Sequence, residues 1–194
     1  MLAEKIIDQE VRKHIIGILV EDHPGVLAKL SGMFSRRGFN IDTIVAGKTK
    51  AKGITRIVIS LTGNNQTLEQ LGKQINKLID VIKISYLDPQ KSVVREHCLI
   101  KVENTEKTRA DLVNLTTLHK ANVLDISNDF MIIEVVGRSE KIDNFLELMK
   151  KYQIREICRT GVNAMKRGQN GRNGRNGRNN QQNRKPNNTK QKLE

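Results

Sequence analysis

The sequence predicts an α+β fold of two ferredoxin-like βαββαβ units in tandem, followed by a basic tail. Three observations lead there. Apolar residues switch between the two-residue period of strands and the period of about 3.6 of helices, twice in the same order. Asp88-Pro89-Gln90 interrupts the pattern between the two runs, because proline fixes its own backbone and pushes the preceding residue out of the helical region. The stretch from Gly168 to Glu194 has almost no apolar side chain to offset the entropy of ordering. The chain therefore divides into an N-terminal extension (1–12), a first unit (13–88), a second unit (89–168) and an Asn/Gly/Arg-rich tail (169–194) that is expected to be disordered.

In the first unit, His14 to Val20 is rich in Ile and Val and reads as a buried strand. Val26, Leu27, Leu30, Met33 and Phe34 then fall on one helical face, and Gly38 is placed to end that helix in a left-handed conformation. Ile41 to Val45 and Ile54 to Leu61 read as strands joined by the polar, Gly-containing GKTKAKG turn. Thr67 to Ile79 sets Leu68, Leu71, Ile75, Leu78 and Ile79 on one face, and Val81 to Leu87 closes the unit as a strand.

The second unit repeats the order. A strand around Glu96 to Val102 precedes a helix from Glu106 to Lys120, and paired strands follow near Val123 to Ile126 and Phe130 to Val136. A helix presenting Ile142, Phe145, Leu146 and Met149 and a last strand near Gln153 to Cys158 complete it. TRIVISLTG (55–63) and DFMIIEVVG (129–137) occupy equivalent places, pointing to an internal duplication with a period of about 75 residues. Each unit is expected to lay two helices on one face of an antiparallel sheet. The open faces and edges then need cover, from the other half or from a second copy.

Composition narrows the function. The formal charge is +13, from 34 basic and 21 acidic residues, and seven of the basic residues lie in the tail with one acid. No apolar run exceeds Ile15 to Val20, against roughly 20 residues needed to span a bilayer. Glu4, Asp8 and Glu10 interrupt the segment a signal peptide would need, so a cytoplasmic location is expected. Cys98 and Cys158 have no metal-ligand spacing and are expected to be buried free thiols. No nucleophile elbow, zinc-binding pair or phosphate-cradling loop is present, and the histidines are scattered, so no catalytic residues and no metal ligands are assigned.

The sharpest local pattern is Glu21-Asp22-His23-Pro24-Gly25-Val26-Leu27, which joins the first strand to the first helix. Pro24 suits a first helical turn and Gly25 permits close approach to the backbone. The free N–H groups of the helix start then make a seat for a small carboxylate. A plain structural role for the same residues, with Asp22 capping the helix, is equally compatible with the pattern.

A family resemblance separates these readings. LVEDHPGVL (19–27) followed by LSGMFSRRGFNIDTI (30–44) closely resembles the ACT domain of acetohydroxyacid synthase regulatory subunits. VVREHCLIKV (93–102), NVLDIS (122–127) and RTGVNAMKRG (159–168) resemble the same family in collinear order. The resemblance implies a regulatory small subunit without an active site of its own. Its partner would be the large catalytic subunit of acetolactate synthase, which carries thiamine diphosphate, Mg and FAD and serves valine, leucine and isoleucine biosynthesis. It further implies a homodimer through the ACT domains that activates the enzyme and imposes feedback inhibition by valine or isoleucine. The positions matching the family's effector contacts are Asp22, Pro24, Gly25 and Val26, with Asn40 and Ile41 from the neighbouring copy. Relatives often carry Asn where this chain has Asp22, and a carboxylate accepts from an ammonium group but cannot donate to a carboxylate.

Two other readings compete with this one. The basic tail invites nucleic-acid binding through counterion release, but it has no aromatic residue for stacking, and no recognition helix is evident. A free-standing amino-acid sensor would not need the second unit to resemble this family.

Overall fold

The computed structural model describes residues 10–168, so the tail and most of the N-terminal extension lie outside the described residues. The elements run β1 (Arg12–Glu21), α1 (Val26–Arg36), β2 (Thr43–Lys48), β3 (Ile54–Gly63), α2 (Asn65–Ile75) and β4 (Val81–Tyr86). The second set is β5 (Ser92–Glu103), α3 (Arg109–Leu118), β6 (Asn122–Ile126), β7 (Phe130–Gly137), α4 (Ser139–Met149), β8 (Ile154–Arg159) and β9 (Asn163–Lys166). A short 3-10 turn, Lys150–Tyr152, precedes β8.

Both sheets are antiparallel and share one topology: β2-β3-β1-β4 in the first and β6-β7-β5-β8 in the second. The segments TRIVISLTG and DFMIIEVVG fall in β3 and β7, which pair with the central strands β1 and β5 in the same way. In the first core, Ile16, Ile18 and Val20 of β1 and Ile57, Ile59 and Leu61 of β3 pack on Leu30, Met33 and Phe34 of α1 and on Leu71 and Ile75 of α2. The second core repeats this with Ile100, Val102, Ile133 and Val135 against Leu112, Ile142, Phe145 and Met149. Asn64 caps α2, accepting from Thr67 N at 2.8 Å. Gly38 takes φ +70 after α1, as its placement predicts.

Four expectations need correction. Leu27 is on the outer side of α1 and 47% exposed, because the buried stripe runs through Val26, Leu30, Met33 and Phe34. The second helix ends at Ile75 rather than Ile79, so Leu78 lies in the following turn, half-buried against the core, and Ile79 is 91% exposed. Cys98 is buried, and burial pushes its thiol up to about 11, but Cys158 sits on edge strand β8 and is exposed. The strand β9 has no counterpart in the expected pattern. It pairs with Ser92–Arg95, the first residues of β5, and helps bury Ile15 and Val58 on the face of the first sheet that the helices leave open.

That second layer explains why β1 reads as a continuous apolar run: Ile16 and Ile18 face the helices while Ile15 faces the second unit. Replacing the fully buried Ile16 by Ala is expected to lower unfolding stability by about 2–5 kcal/mol in denaturant titrations. Leu27→Ala on the outer face should stay within about 0.5 kcal/mol.

Candidate functional site

The β1–α1 loop is held from both sides by backbone bonds. Glu21 N donates to Asp80 O at 3.0 Å, and Asp22 N donates to Gly53 O at 2.8 Å, in the β2–β3 turn. Gly25 is the residue before α1 and has φ +91, a conformation that favours glycine. A Cβ there would point into open space, so the loop surface above Gly25 is free. Pro24 lies in the turn before the helix rather than in its first turn, and the Asp22 carboxylate does not cap the helix. The N–H groups of Gly25, Leu27 and Ala28 have no acceptor among the described residues, and the first turn carries no acidic side chain. The result is an exposed, electropositive helix start beside the exposed carboxylate of Asp22. The Val26 side chain points the other way, into the core, leaving only its backbone at this surface.

The loop is clamped by a cluster that sequence spacing did not show. His23 Nε2 lies 2.8 Å from Asp80 Oδ1, and His23 Nδ1 lies 3.0 Å from Pro24 O. Lys29 Nζ donates to Asp80 Oδ2 at 2.9 Å. Both imidazole nitrogens face acceptor oxygens, an arrangement satisfied in full by the protonated ring, which donates from both. The bond to Pro24 O and then that to Asp80 raise the His23 pKa. Lys29, followed by His23, draws the Asp80 pKa below its usual range against the opposing effect of burial. Glu21, His23 and Asp80 bring three potential metal donors together, but Lys29 already balances the buried carboxylate and a doubly donating imidazole has no lone pair to offer. The arrangement is an ion cluster that fixes the loop. The 57 residues between His23 and Asp80 explain why no local pattern revealed it.

Asn40 is exposed and Ile41 half-buried, and both precede β2. The register sets Thr43 opposite Ser60, and Ser60 opposite Ile15, whereas Glu21 pairs with Ile54. The two predicted parts of the site therefore lie near opposite ends of the sheet, roughly 20 Å apart at about 3.3 Å per residue. One chain does not bring them together. β2 is, however, an edge strand with one side unpaired among the described residues.

Residues 95–168 match the family model described as the small subunit of acetolactate synthase, and residues 16–83 match the AHAS small subunit-like ACT domain. A probable acetolactate synthase small subunit of Methanothermobacter thermautotrophicus is 46% identical over 164 residues, covering 84% of this chain and 98% of that protein. The acetolactate synthase small subunit of Bacillus subtilis is 41% identical over 158 residues, covering 80% and 91%. Among solved structures, the acetolactate synthase small subunit from Thermotoga maritima superposes with a TM-score of 0.77 at 37% identity, over 81% of this chain and 98% of that one. None of these names supports the nucleic-acid reading of the tail. No helix among the described residues is long and apolar enough to cross a membrane.

The clasp has a defined pH window. The raised His23 pKa makes its contribution complete below 6.5 and lost as pH rises through the folded value. The lowered Asp80 pKa makes its contribution complete above 3.8 and lost as pH falls through the folded value. The difference in unfolding midpoint between the wild type and Asp80→Asn is expected to be largest between these limits and to shrink on both sides. A difference that does not vary with pH would count against the clasp.

Proposed function

The chain belongs to the acetolactate synthase small-subunit family, and from that premise we propose that it regulates a separate catalytic chain, raising its activity and imposing feedback inhibition by valine. The thiamine diphosphate, Mg and FAD of the reaction are assigned to that large subunit, and the complex to the cytoplasm. The observation that carries the reading is the uncapped start of α1 above Gly25, open to solvent and clamped from behind by His23, Asp80 and Lys29.

In this proposal the effector's carboxylate takes the N–H groups of Gly25, Leu27 and Ala28, and its ammonium group is met by Asp22. Pro24 shapes the turn, and Val26 contributes through its backbone. The remaining wall comes from a second copy. Two β2 edges pairing antiparallel about a twofold axis reverse one strand relative to the other, which carries Asn40 and Ile41 of one copy toward the loop of its mate. That reversal meets the separation of roughly 20 Å within a single chain. Ile41 then supplies apolar contact to a branched side chain. One methylene discriminates by only about 1–3 kcal/mol, so isoleucine is accepted beside valine.

An effector at such an interface inhibits only through a different affinity for two arrangements of the complex. Gly25→Asp puts bulk and negative charge where the carboxylate sits. In reconstituted enzyme it is expected to keep activation of the large subunit and to raise the half-inhibitory valine concentration at least about tenfold, equivalent to roughly 1.4 kcal/mol. An unchanged valine response would remove the loop from the effector site.

A further inference from the structure

The C-terminal unit reaches the effector edge of the first unit through a short strap. Its root is anchored on β5. Arg159 makes a two-pronged ion pair with the buried Glu96, at 2.7 and 2.8 Å, and a third bond of 2.7 Å to Asp143. Thr160 N donates to His97 O at 3.0 Å, and His97 N donates to Thr160 Oγ1 at 3.2 Å. Two residues later the same segment is bonded to the other unit, where Val162 N donates to Thr43 Oγ1 at 3.3 Å. Thr43 Oγ1 also lies 2.6 Å from Ser60 Oγ on the neighbouring strand. Between these anchors Gly161 is buried at φ +82, and a Cβ on it would stand 2.6 Å from Thr43 Cβ.

Beyond Val162 the strap becomes β9, paired with the part of β5 that extends past the pairing with β7 and β8. Val94, Val162 and Ala164 of this arm bury Ile15, Val58 and Leu87. Arg56 Nη2 donates to Ala164 O at 2.9 Å while lying over Gly17, where a Cβ would stand 3.1 Å from that nitrogen. The contact is therefore specific, combining a buried apolar cluster with a hydrogen bond directed at the backbone of β9.

We propose that Thr43, gripped by Thr160–Val162, is the positioning residue that couples effector occupancy to the second unit. It rests on the effector reading above, which places Ile41 two residues before Thr43. Effector held by Asn40 and Ile41 sets the position of Thr43, Thr43 sets the strap, and the bonds of Arg159 and Thr160 carry that position into β5. The second unit, rather than the effector-binding one alone, then presents the altered surface to the catalytic chain.

Thr43→Val keeps the shape and removes the acceptor for Val162 N. Gly161→Ala forces the strap off Thr43 from the other side, and Thr43→Ser keeps the hydroxyl. Each full-length variant is compared with wild type by valine calorimetry, alone and with the catalytic chain, and by acetolactate formation with a valine titration. Linkage requires that wild-type affinity for valine change when the catalytic chain is added. In Thr43→Val and Gly161→Ala the free chain is expected to bind valine within about twofold of wild type, with activation retained. Valine inhibition should be lost, along with the affinity change on adding the catalytic chain, while Thr43→Ser restores both. Loss of binding and inhibition by the same factor would reduce Thr43 to a structural part of the site and overturn the proposal, as would wild-type inhibition in both variants. A wild-type chain that binds no valine would overturn the effector reading itself.

Discussion

A four-stranded sheet with both helices on one side leaves its other face uncovered, and the burial of that face in the first unit is the constraint on which the molecule's arrangement depends. Ile15 and Val58 lie on it, and Gly17 and Arg56 cross it. At about 25 cal/mol per Å2, leaving such residues in water forfeits several kcal/mol. The chain meets this by extending β5 beyond its own sheet and returning β9 alongside it. That arm gives the two units a shared apolar cluster, and Val162 is bonded to Thr43 on the first unit's edge strand.

Most of the regular structure was legible because its elements carry full periods of apolar residues. β3 and β7 were located as equivalents from nine residues each, and Gly38 was read correctly from its place after an apolar stripe. What escaped has physical causes. Leu27 and Ile79 are apolar but lie where the helix has turned away or ended, and hydropathy alone cannot tell an exposed leucine from a buried one. β9 is four residues long and pairs with a strand about 70 residues earlier, so its register comes from the partner rather than from its own pattern. The turn between β1 and α1 was legible because its residues are contiguous. Its support was not, because Asp80 reaches His23 only through the completed fold.

Two carboxylates are buried in the described residues in places that do not serve the cores. Asp80 sits under the β1–α1 loop, held by Lys29 and His23, and Glu96 sits at the strap's root, held by Arg159. Burying an ion pair brings little net stability, since desolvation offsets most of the Coulomb attraction. A buried carboxylate does demand one geometry from its partners, because a displaced partner leaves a charge uncompensated. Both occur where position matters more than cohesion: one orients the loop that begins α1, and the other orients the segment that crosses to Thr43.

The duplicated units differ at the loops that open their first helices. In the first, the loop into α1 has a left-handed glycine and the first turn of the helix carries no acid. In the second, the corresponding loop closes on itself. Thr105 and Thr108 exchange backbone and hydroxyl bonds, Asn104 Nδ2 donates to Ser127 O at 2.6 Å, and the loop has no glycine. Asp111 then places negative charge in the first turn of α3, which opposes an incoming carboxylate at the helix end that would otherwise attract one. The two halves thus share a fold while their helix starts differ in backbone freedom and in charge. That divergence suits the first helix start, and not the second, to the carboxylate seat proposed above, and the two units meet where Gly161 packs against Thr43.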